Sequence, residues 1–436
     1  MNNLLAARSQ MALSLGFHIV FVCISMVMPF FMAVAEYFWL KTRDTVYLQL
    51  AKAWSRGVAI FFATGAVSGT VLSFELGMLW PGFMVHAGPI IGMPFSLEGV
   101  AFFIEAIALG FFLFGWNRLK PWFHWFTGLT VGICGVLSAV LVLSANGWMN
   151  HPTGFDYVNG QFRNIHPIQA LMNPGWIPEA THMTTAAFVA TGFAVAGIHA
   201  FLLLRGRNIT FHTRAFKIAV VFAGLAALIQ PITGDNAARL VAKKQPAKLA
   251  AMEAHYYTGP RAPLIIGGIP DNKDHRVNYA IQLPGMLSFL IYGDVNATVE
   301  GLDHIPVADQ PPVTVAHFSF QIMVAIGTAL AGLATLYFIG LVFHRPWRQS
   351  RWLLWLFAAA TPAGFLAVEA GWALTEVGRQ PWIIQGVLRT SEAVTPMPGI
   401  QYTFVIFSLV YLVLTFMVIF LLFRQIRSFD LRPAIA

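Results

Sequence analysis

Long apolar stretches alternate with polar connections along almost the whole chain. Each apolar stretch has about 20 residues or more, the length needed to cross a hydrocarbon core of roughly 30 Å. The stretches cover residues 12–40, 54–80, 94–116, 123–146, 181–205, 215–233, 313–343, 352–376 and 400–424. Because only helices can satisfy their own backbone polar groups inside lipid at this length, the pattern predicts an all-α, polytopic membrane protein with about nine transmembrane helices.

The first apolar stretch is expected to stay in the protein as a helix. Ala33-Val34-Ala35 resembles the cleavage site of a signal peptide. The apolar stretch before it is too long for a signal peptide, however, and basic residues follow the stretch while only Arg8 precedes it.

One long polar stretch, residues 234–312, interrupts the pattern and is rich in Pro, Gly, Asp and Lys. A disordered connector is one interpretation. Residues 248–257, however, have the pattern of a short helix, and long ordered loops are usually functional. The predicted organisation is therefore six helices in residues 1–233, a loop in residues 234–312, and three helices with a short tail in residues 313–436.

Composition and charge support the membrane assignment and add an orientation. Hydrophobic residues make up 57% of the chain and charged residues 11%, against roughly a quarter charged in soluble proteins. Lys and Arg concentrate in alternate connections, which predicts an external amino terminus, a cytoplasmic carboxyl terminus and an external 234–312 loop. The net charge of +8 is dispersed among these connections and does not indicate nucleic-acid binding. The basic connections contain Lys41, Arg43, Lys52, Arg56, Arg118, Lys120, Arg205, Arg207, Arg214, Lys217, Arg345, Arg348, Arg351, Arg424, Arg427 and Arg432.

Several ionisable side chains lie within the apolar stretches, where they are costly and become functional candidates. These are His18, Glu75, Glu98, Glu105, His182, Glu369 and Glu376. With the predicted orientation, most of them fall toward the external face, as does Met323. Packing residues that were independent of one another would not be expected to share one depth.

Two chemistries fit such a set. Imidazole and thioether are ligands for haem iron, which indicates a haem protein. Alternatively, a His or Met within a span packs against its neighbours. The pairs Glu98–Glu105 and Glu369–Glu376 are each seven residues apart and so share a helix face, as proton-relay stations or as structural carboxyls.

Six sequence segments carry a resemblance to cytochrome bd subunit I. The most specific are Glu376-Val377-Gly378-Arg379-Gln380-Pro381-Trp382 and Ser144-Ala145-Asn146-Gly147-Trp148-Met149. The others are Phe74–Gly77, Leu97–Glu105 followed by Phe114-Gly115-Trp116, Asn173–His182 and Gly268–Asp271. They extend over essentially the whole chain, so the chain is identified as resembling the haem-carrying subunit of a bd-type quinol oxidase.

The resemblance implies three haems near the external face and a role for each matching residue. His182 and Met323 would ligate a low-spin haem b, while His18 and Glu376 would ligate two high-spin haems. One of those is a haem b, and the other is haem d or a further haem b. Glu98 and Glu105 would deliver protons, Arg379 and Trp372 would support the haems, and Lys248 with Glu253 would bind quinol in the 234–312 loop.

The resemblance also implies an enzyme of the bacterial cytoplasmic membrane that oxidises quinol and reduces dioxygen to water. It implies a second membrane subunit, with a small accessory subunit as a further partner. The short loop, and Gln321 in place of an Arg, are similar to the cyanide-insensitive branch. The loss of that cation is expected to lower the haem potential or to alter quinol contacts. The alternatives are a membrane b-type cytochrome with another electron acceptor, and a proton or ion transporter that uses buried carboxylates.

Overall fold

The computed structural model describes residues 2–430, without the side chains of residues 348–349 and 426–430. In chain order the helices are α1 Asn3–Thr42, α2 Thr45–Leu79, α3 Pro81–Phe114, α4 Pro121–Asn150, α5 Pro167–Leu171, α6 Trp176–Leu204, α7 Ile209–Lys244, α8 Pro246–Met252, α9 Met286–Tyr292, α10 Val313–Val342, α11 Arg351–Ala359, α12 Ala363–Val377, α13 Thr390–Ala393 and α14 Ile400–Asp430. Within residues 2–430, nine spans are long and apolar enough to cross a membrane, and α11 with α12 forms the eighth. The predicted all-α membrane fold and the predicted number of membrane-spanning helices are therefore confirmed.

Several helices are longer than the apolar stretches that predicted them. The sixth span was expected to end at residue 233, but α7 continues to Lys244. Its last turns are polar and include an ion pair between Asp235 and Arg239, four residues apart. Such pairs support an exposed helix, so this part of α7 does not need an apolar sequence.

The helices pack in two groups that meet along α1, α4 and α6. The first group contains α1–α4, with α14 packed against α1 and α2; the second contains α6, α7, α10, α11 and α12. Small residues allow the closest approaches: a side-chain carbon at Gly364 of α12 would lie 2.4 Å from the Cα of Ala190 in α6. Close backbone packing of this kind stabilises helix pairs in lipid.

The long connection between α7 and α10 is an ordered structure. It contains α8, α9, two short 3-10 helices (Leu302–His304 and Val307–Asp309) and six short strands. The strands form three antiparallel pairs: β3 Gly259–Pro260 with β8 Thr298–Val299, β4 Leu264–Ile266 with β7 Ile281–Leu283, and β5 Ile269–Asp271 with β6 Arg276–Asn278. The predicted short helix in this segment is confirmed as α8, although it ends at Met252 and not at residue 257.

Apolar side chains attach this loop to the membrane helices. Leu249 and Met252 of α8 belong to a buried cluster that also contains Ala316 of α10 and Leu374 of α12. The loop is therefore packed on the ends of the helices that carry several of the predicted site residues. Two further strand pairs lie elsewhere: β1 Asp156–Val158 with β2 Gln161–Arg163, and β9 Trp382–Ile384 with β10 Leu388–Arg389.

Candidate functional site

A buried polar cluster joins the end of α4 to the loop. The side-chain oxygen of Asn150 accepts hydrogen bonds from Lys248 Nζ at 2.9 Å and from Gln245 Nε2 at 3.1 Å. The amide nitrogen of Asn150 donates to Asn146 Oδ1 at 3.0 Å and to Glu179 Oε1 at 3.3 Å. Asn150 is therefore a hub that connects the loop with α4 and α6.

Glu376 and Arg379 extend this cluster to the end of α12. Asn146 Nδ2 donates to Glu376 Oε1 at 2.8 Å, and Arg379 donates to Glu376 Oε2 at 2.5 Å. A side-chain carbon at Gly378 would lie 2.8 Å from Lys248 Cγ. The aliphatic part of Lys248 therefore packs against the backbone between Glu376 and Arg379. Three predicted site residues, Lys248, Glu376 and Arg379, thus meet in one place.

Arg379 has unused hydrogen-bonding capacity in this cluster. Its side chain is only 2% exposed, yet Nε and Nη1 have no hydrogen-bond partner in the structure. Unsatisfied buried donors are rare because each costs about 1–3 kcal/mol. Two such donors on a buried cation indicate a binding position for an anionic group.

His182 lies between α6 and α7. Its Nδ1 is 3.2 Å from the hydroxyl of Thr233, and the amide of Gln230 lies 3.2–3.3 Å from both ring nitrogens. A side-chain carbon at Gly234 would lie 3.3 Å from the ring, so the glycine leaves room beside it. The imidazole is thus held by neighbours on one face of α7.

Met323 projects from α10 toward α12. Its sulfur would lie only 2.8 Å from a side-chain carbon at Gly371, the residue before Trp372. Trp372 and Glu369 in turn face α1, where both lie within 4 Å of the position that a side-chain carbon would take at Gly16.

His18 follows on the next half-turn of α1, where its Nδ1 is 2.9 Å from the hydroxyl of Ser68 in α2. A side-chain carbon at Gly69 would lie 3.1 Å from the His18 ring. Glycine therefore borders three of the predicted haem ligands: Gly69 at His18, Gly234 at His182 and Gly371 at Met323.

The carboxylates of α3 both face α4. Ser138 donates to Glu98 Oε1 at 2.7 Å. Glu105 is 5% exposed, and one of its oxygens would lie 3.4 Å from a side-chain carbon at Gly135. Because Gly135 and Ser138 are three residues apart, the two carboxylates follow one edge of α4.

Glu75 lies apart from these residues, between α1, α2 and α14. It is fully buried and accepts a hydrogen bond at 2.9 Å from Gln10, whose oxygen accepts one from Thr403 at 2.8 Å. Nothing in this network connects it with Asn150 or His182.

Glu253 follows α8 in the loop. It is 3% exposed, and its Oε2 has no hydrogen-bond partner. Burial raises the pKa of Glu253 to about 8, so the carboxyl holds a proton at neutral pH. Burial also lowers the pKa of Lys248, and the positive charge of Arg379 lowers it further.

Comparison with known proteins assigns the family. The model of the family described as cytochrome bd terminal oxidase subunit I matches residues 6–429. The cytochrome bd ubiquinol oxidase subunit 1 of Bacillus subtilis is 31% identical over 98% of this chain and 94% of its own length. The cytochrome bd-II ubiquinol oxidase subunit 1 of Escherichia coli is 29% identical over 94% and 93%.

A solved structure agrees with these matches. The bd oxidase from Geobacillus thermodenitrificans superposes with a TM-score of 0.93 at 35% identity and covers 98% of this chain and 99% of its own. The chain belongs to the cytochrome bd oxidase subunit I family.

Family membership identifies this subunit I as the haem-carrying catalytic subunit of a quinol:oxygen oxidoreductase. It is a multi-pass protein of the bacterial cytoplasmic membrane and part of a multi-subunit complex. The predicted family and enzyme class are confirmed.

The residues of this subunit I fit a haem. The two unpartnered nitrogens of Arg379 suit the carboxylates of haem propionates, which are anionic and accept two hydrogen bonds each. His18, His182 and Met323 supply nitrogen and sulfur donors of the types that ligate haem iron. The glycines beside these three residues leave space that a side-chain carbon would fill.

Sequence reasoning missed Asn150, Glu179 and Gln245. Glu179 is half-buried, and its Oε2 is a buried atom without a hydrogen-bond partner among the described residues; Asn150 is 1% exposed. A signal existed for Glu179, because it lies three residues before His182 on the same face of α6. Asn150 and Gln245 are uncharged, so neither stands out until the loop is folded onto α4.

Proposed function

We propose that this chain oxidises quinol beneath the loop between α7 and α10 and delivers the electrons to haems held among its helices, where dioxygen is reduced to water. The observation that carries the proposal is the Asn150 cluster. It connects Lys248 of the loop to Glu376 of α12 and to Arg379 just after it through hydrogen bonds of 2.5–3.0 Å. A loop that binds a reductant and a site that receives its electrons should be joined in this way.

The haem ligands are assigned by residue type and position. His182 and Met323 would hold a low-spin haem b, while His18 and Glu376 would hold the high-spin haems, of which one would be haem d or a further haem b. The haems supply electron transfer and the chemistry of oxygen binding. Thr233 and Gln230 orient the His182 ring, and Ser68 orients that of His18. Trp372 packs between α12 and α1 and supports the haem environment there.

Lys248 and Glu253 act on quinol. Quinol must lose two protons with its two electrons, and the buried Glu253, whose Oε2 has no hydrogen-bond partner among the described residues, can accept one proton at a time when its carboxyl is ionised. The ammonium of Lys248, held at 2.9 Å by Asn150, can donate to a quinol oxygen and orient the ring. Glu253 then releases the protons to the external side.

Glu105 and Glu98 bring protons to oxygen. Both carboxylates lie along one edge of α4, where Ser138 donates a hydrogen bond to Glu98. Side chains arranged in this way can hold a proton within the membrane. With the loop outside, the amino terminus outside and the carboxyl terminus in the cytoplasm, protons are taken from the cytoplasm and released outside. A gradient then forms without a separate pump.

The complex contains a second membrane subunit. Many large apolar side chains on α3 and α14 face outward, including Phe103, Ile107, Phe416 and Phe420. Such surfaces suit either lipid or another helix bundle, and the family is named as one subunit of an assembly. Whether a small accessory subunit is present is decided by the composition of the purified complex.

Oxygen consumption by the purified complex tests this function. We expect quinol to support oxygen uptake, and His182→Ala to remove the low-spin band from the dithionite-reduced spectrum. His304→Ala, in the exposed part of the loop, is the matched control and should leave the band unchanged. A transporter would show no haem spectrum, and a cytochrome with another acceptor would be reduced by quinol without consuming oxygen.

A further inference from the structure

His317 of α10 contacts the loop with both ring nitrogens. Nδ1 is 3.0 Å from the carbonyl oxygen of Met252, and Nε2 is 3.1 Å from that of Gly267. The side chain is fully buried. A carbonyl oxygen only accepts hydrogen bonds, and an imidazole donates through each ring nitrogen that carries a hydrogen, so the ring donates to at least one of these carbonyls and contacts both. His317 thereby fastens two separate loop segments to one helix.

Gln321 continues the same attachment one turn further along α10. Its Nε2 donates to the carbonyl of Ile265 at 3.0 Å, and its Oε1 accepts from the amide of Gly267 at 2.9 Å. Both backbone groups of Gly267 are therefore held by α10, one by Gln321 and the other by His317. Gln321 thus contacts the loop backbone with both ends of its side-chain amide.

These residues form one strip on α10. His317 and Gln321 are four residues apart and lie on one face, together with Thr314, which accepts a hydrogen bond at 3.1 Å from Asn272 of the loop. Met323 is two residues beyond Gln321, about 200° further around the helix. One face of α10 therefore binds the loop while the opposite face presents Met323 to α12.

The attachment acts directly before Glu253. Met252, whose carbonyl His317 holds, precedes it in the chain, and Ala254 follows it with a φ of 48°. A residue other than glycine adopts this left-handed backbone at a cost, so it persists only where the surroundings fix it. The hold on Met252 is a contact that fixes the turn carrying Glu253.

We propose that His317 and Gln321 are positioning residues for quinol oxidation, which hold Glu253 and the 265–267 segment in the geometry that binds quinol. This inference rests on the proposed role of the loop. It assigns neither residue to proton or electron transfer, and both act through the loop backbone.

The test compares variants that remove the contacts while preserving size. His317→Phe loses both ring nitrogens, His317→Gln keeps a donor for one carbonyl, and Gln321→Met loses both amide contacts. His304→Gln in the exposed loop and Thr335→Ala on the exposed side of α10 are the controls. Quinol-dependent oxygen uptake gives kcat and KM, an artificial electron donor bypasses the loop, and the visible spectrum reports the haem content.

We expect His317→Phe to lower kcat/KM for quinol by about tenfold or more, mainly through KM, with normal haem content and normal oxygen uptake from the artificial donor. His317→Gln should recover part of the loss, and Gln321→Met should show a loss of several-fold. Deuterium exchange at the Gly267 amide should accelerate in Gln321→Met, because that amide loses its acceptor. Both controls should match the wild type.

Two results would overturn the inference. One is a kcat/KM within twofold of wild type in both Gln321→Met and His317→Gln, with unchanged exchange at Gly267. The other is an equal loss with quinol and with the artificial donor. If His317→Phe does not assemble, the other two variants decide. A wild-type complex that consumes no oxygen with quinol would instead contradict the proposed function, so the two failures are distinguishable.

Discussion

The two ends of α4 contain buried ionisable groups in different states of hydrogen bonding. Near its start, His124 Nδ1 is 2.7 Å from Glu36, and its Nε2 is 2.9 Å from the carbonyl of Phe112. Near its end, hydrogen bonds link Asn150 to Asn146, Asn146 to Glu376 and Glu376 to Arg379. Two nitrogens of Arg379 have no hydrogen-bond partner among the described residues.

The two ends of α4 differ in which buried atoms have no hydrogen-bond partner among the described residues. At Glu36 the unpartnered atom is one carboxyl oxygen, whereas at Arg379 the unpartnered atoms are donors on a buried cation. A neutral carboxyl can remain buried at a modest cost, whereas Arg379 already pairs with Glu376 and still has two unsatisfied donors, each of which costs about 1–3 kcal/mol. The His124 pair is therefore interpreted as structural, and the Arg379 end as a site that is completed by a bound anionic group.

The largest expected effect is at Arg379. Arg379→Ala removes the ion-pair partner of the half-buried Glu376 together with the two buried donors that suit an anionic group. We expect haem to be lost and turnover to fall about 100-fold or more, measured by visible spectrum and oxygen uptake.

Arg389→Ala is the control for this variant. Arg389 also pairs with a carboxylate, that of Asp309, but both side chains are about a third exposed. Exposed pairs contribute about 0–1 kcal/mol, so turnover should change less than about twofold. Equal effects of the two substitutions would remove the distinction between the anion site and an ordinary ion pair.

A substitution near the start of α4 should lower the stability of the protein and leave its haem content unchanged. His124→Phe retains an aromatic ring but removes the hydrogen-bond partner of Glu36, and we expect the free energy of unfolding to fall by about 1–3 kcal/mol. The check is the denaturation midpoint in detergent beside the haem spectrum. Normal stability with missing haem would show that this pair belongs to the cofactor site.

A smaller effect is expected at the hub of the polar cluster. Asn150→Leu preserves volume but removes the acceptor used by Lys248 and Gln245, which leaves two buried donors unsatisfied. Quinol oxidation should fall about tenfold, and oxygen uptake from an artificial donor should persist. A full-rate Asn150→Leu complex would show that Lys248 does not need this support.

The smallest effect concerns pH. Glu253 has a pKa of about 8, so its carboxyl is protonated below that value and can accept a proton only above it. The kcat/KM for quinol should therefore rise with pH through about 8 in the wild type. Glu253→Gln should be slower and should lack this rise, whereas Glu300→Gln, a less buried carboxyl of the same loop, should keep it. A rise that persists in Glu253→Gln would assign it to another group.

The fold was predictable because the membrane imposes a simple rule. An apolar run of about 20 residues must form a helix in lipid, so the spans follow from residue type alone. The polar ends of the helices do not follow this rule. Helix α7 continues to Lys244 through a part that contains the exposed Asp235–Arg239 ion pair, and a count of apolar residues does not reveal it.

The site was predictable only in part. His18, His182 and Glu376 stand out because ionisable groups are rare within spans. Asn150 does not stand out, and Gln321 does so only through the family resemblance, since the contacts of both exist only when the loop folds onto α4 and α10. Long-range contacts between uncharged side chains and backbone leave no periodic signal in the sequence.

The central claim is that quinol delivers electrons to haems held by this chain. The most direct measurement is the visible spectrum of the purified complex when quinol is added without oxygen and oxygen is then admitted. We expect reduced haem bands to appear when quinol is added and to disappear when oxygen is admitted. A complex whose haem is reduced by dithionite but not by quinol, or one that carries no haem, would contradict it.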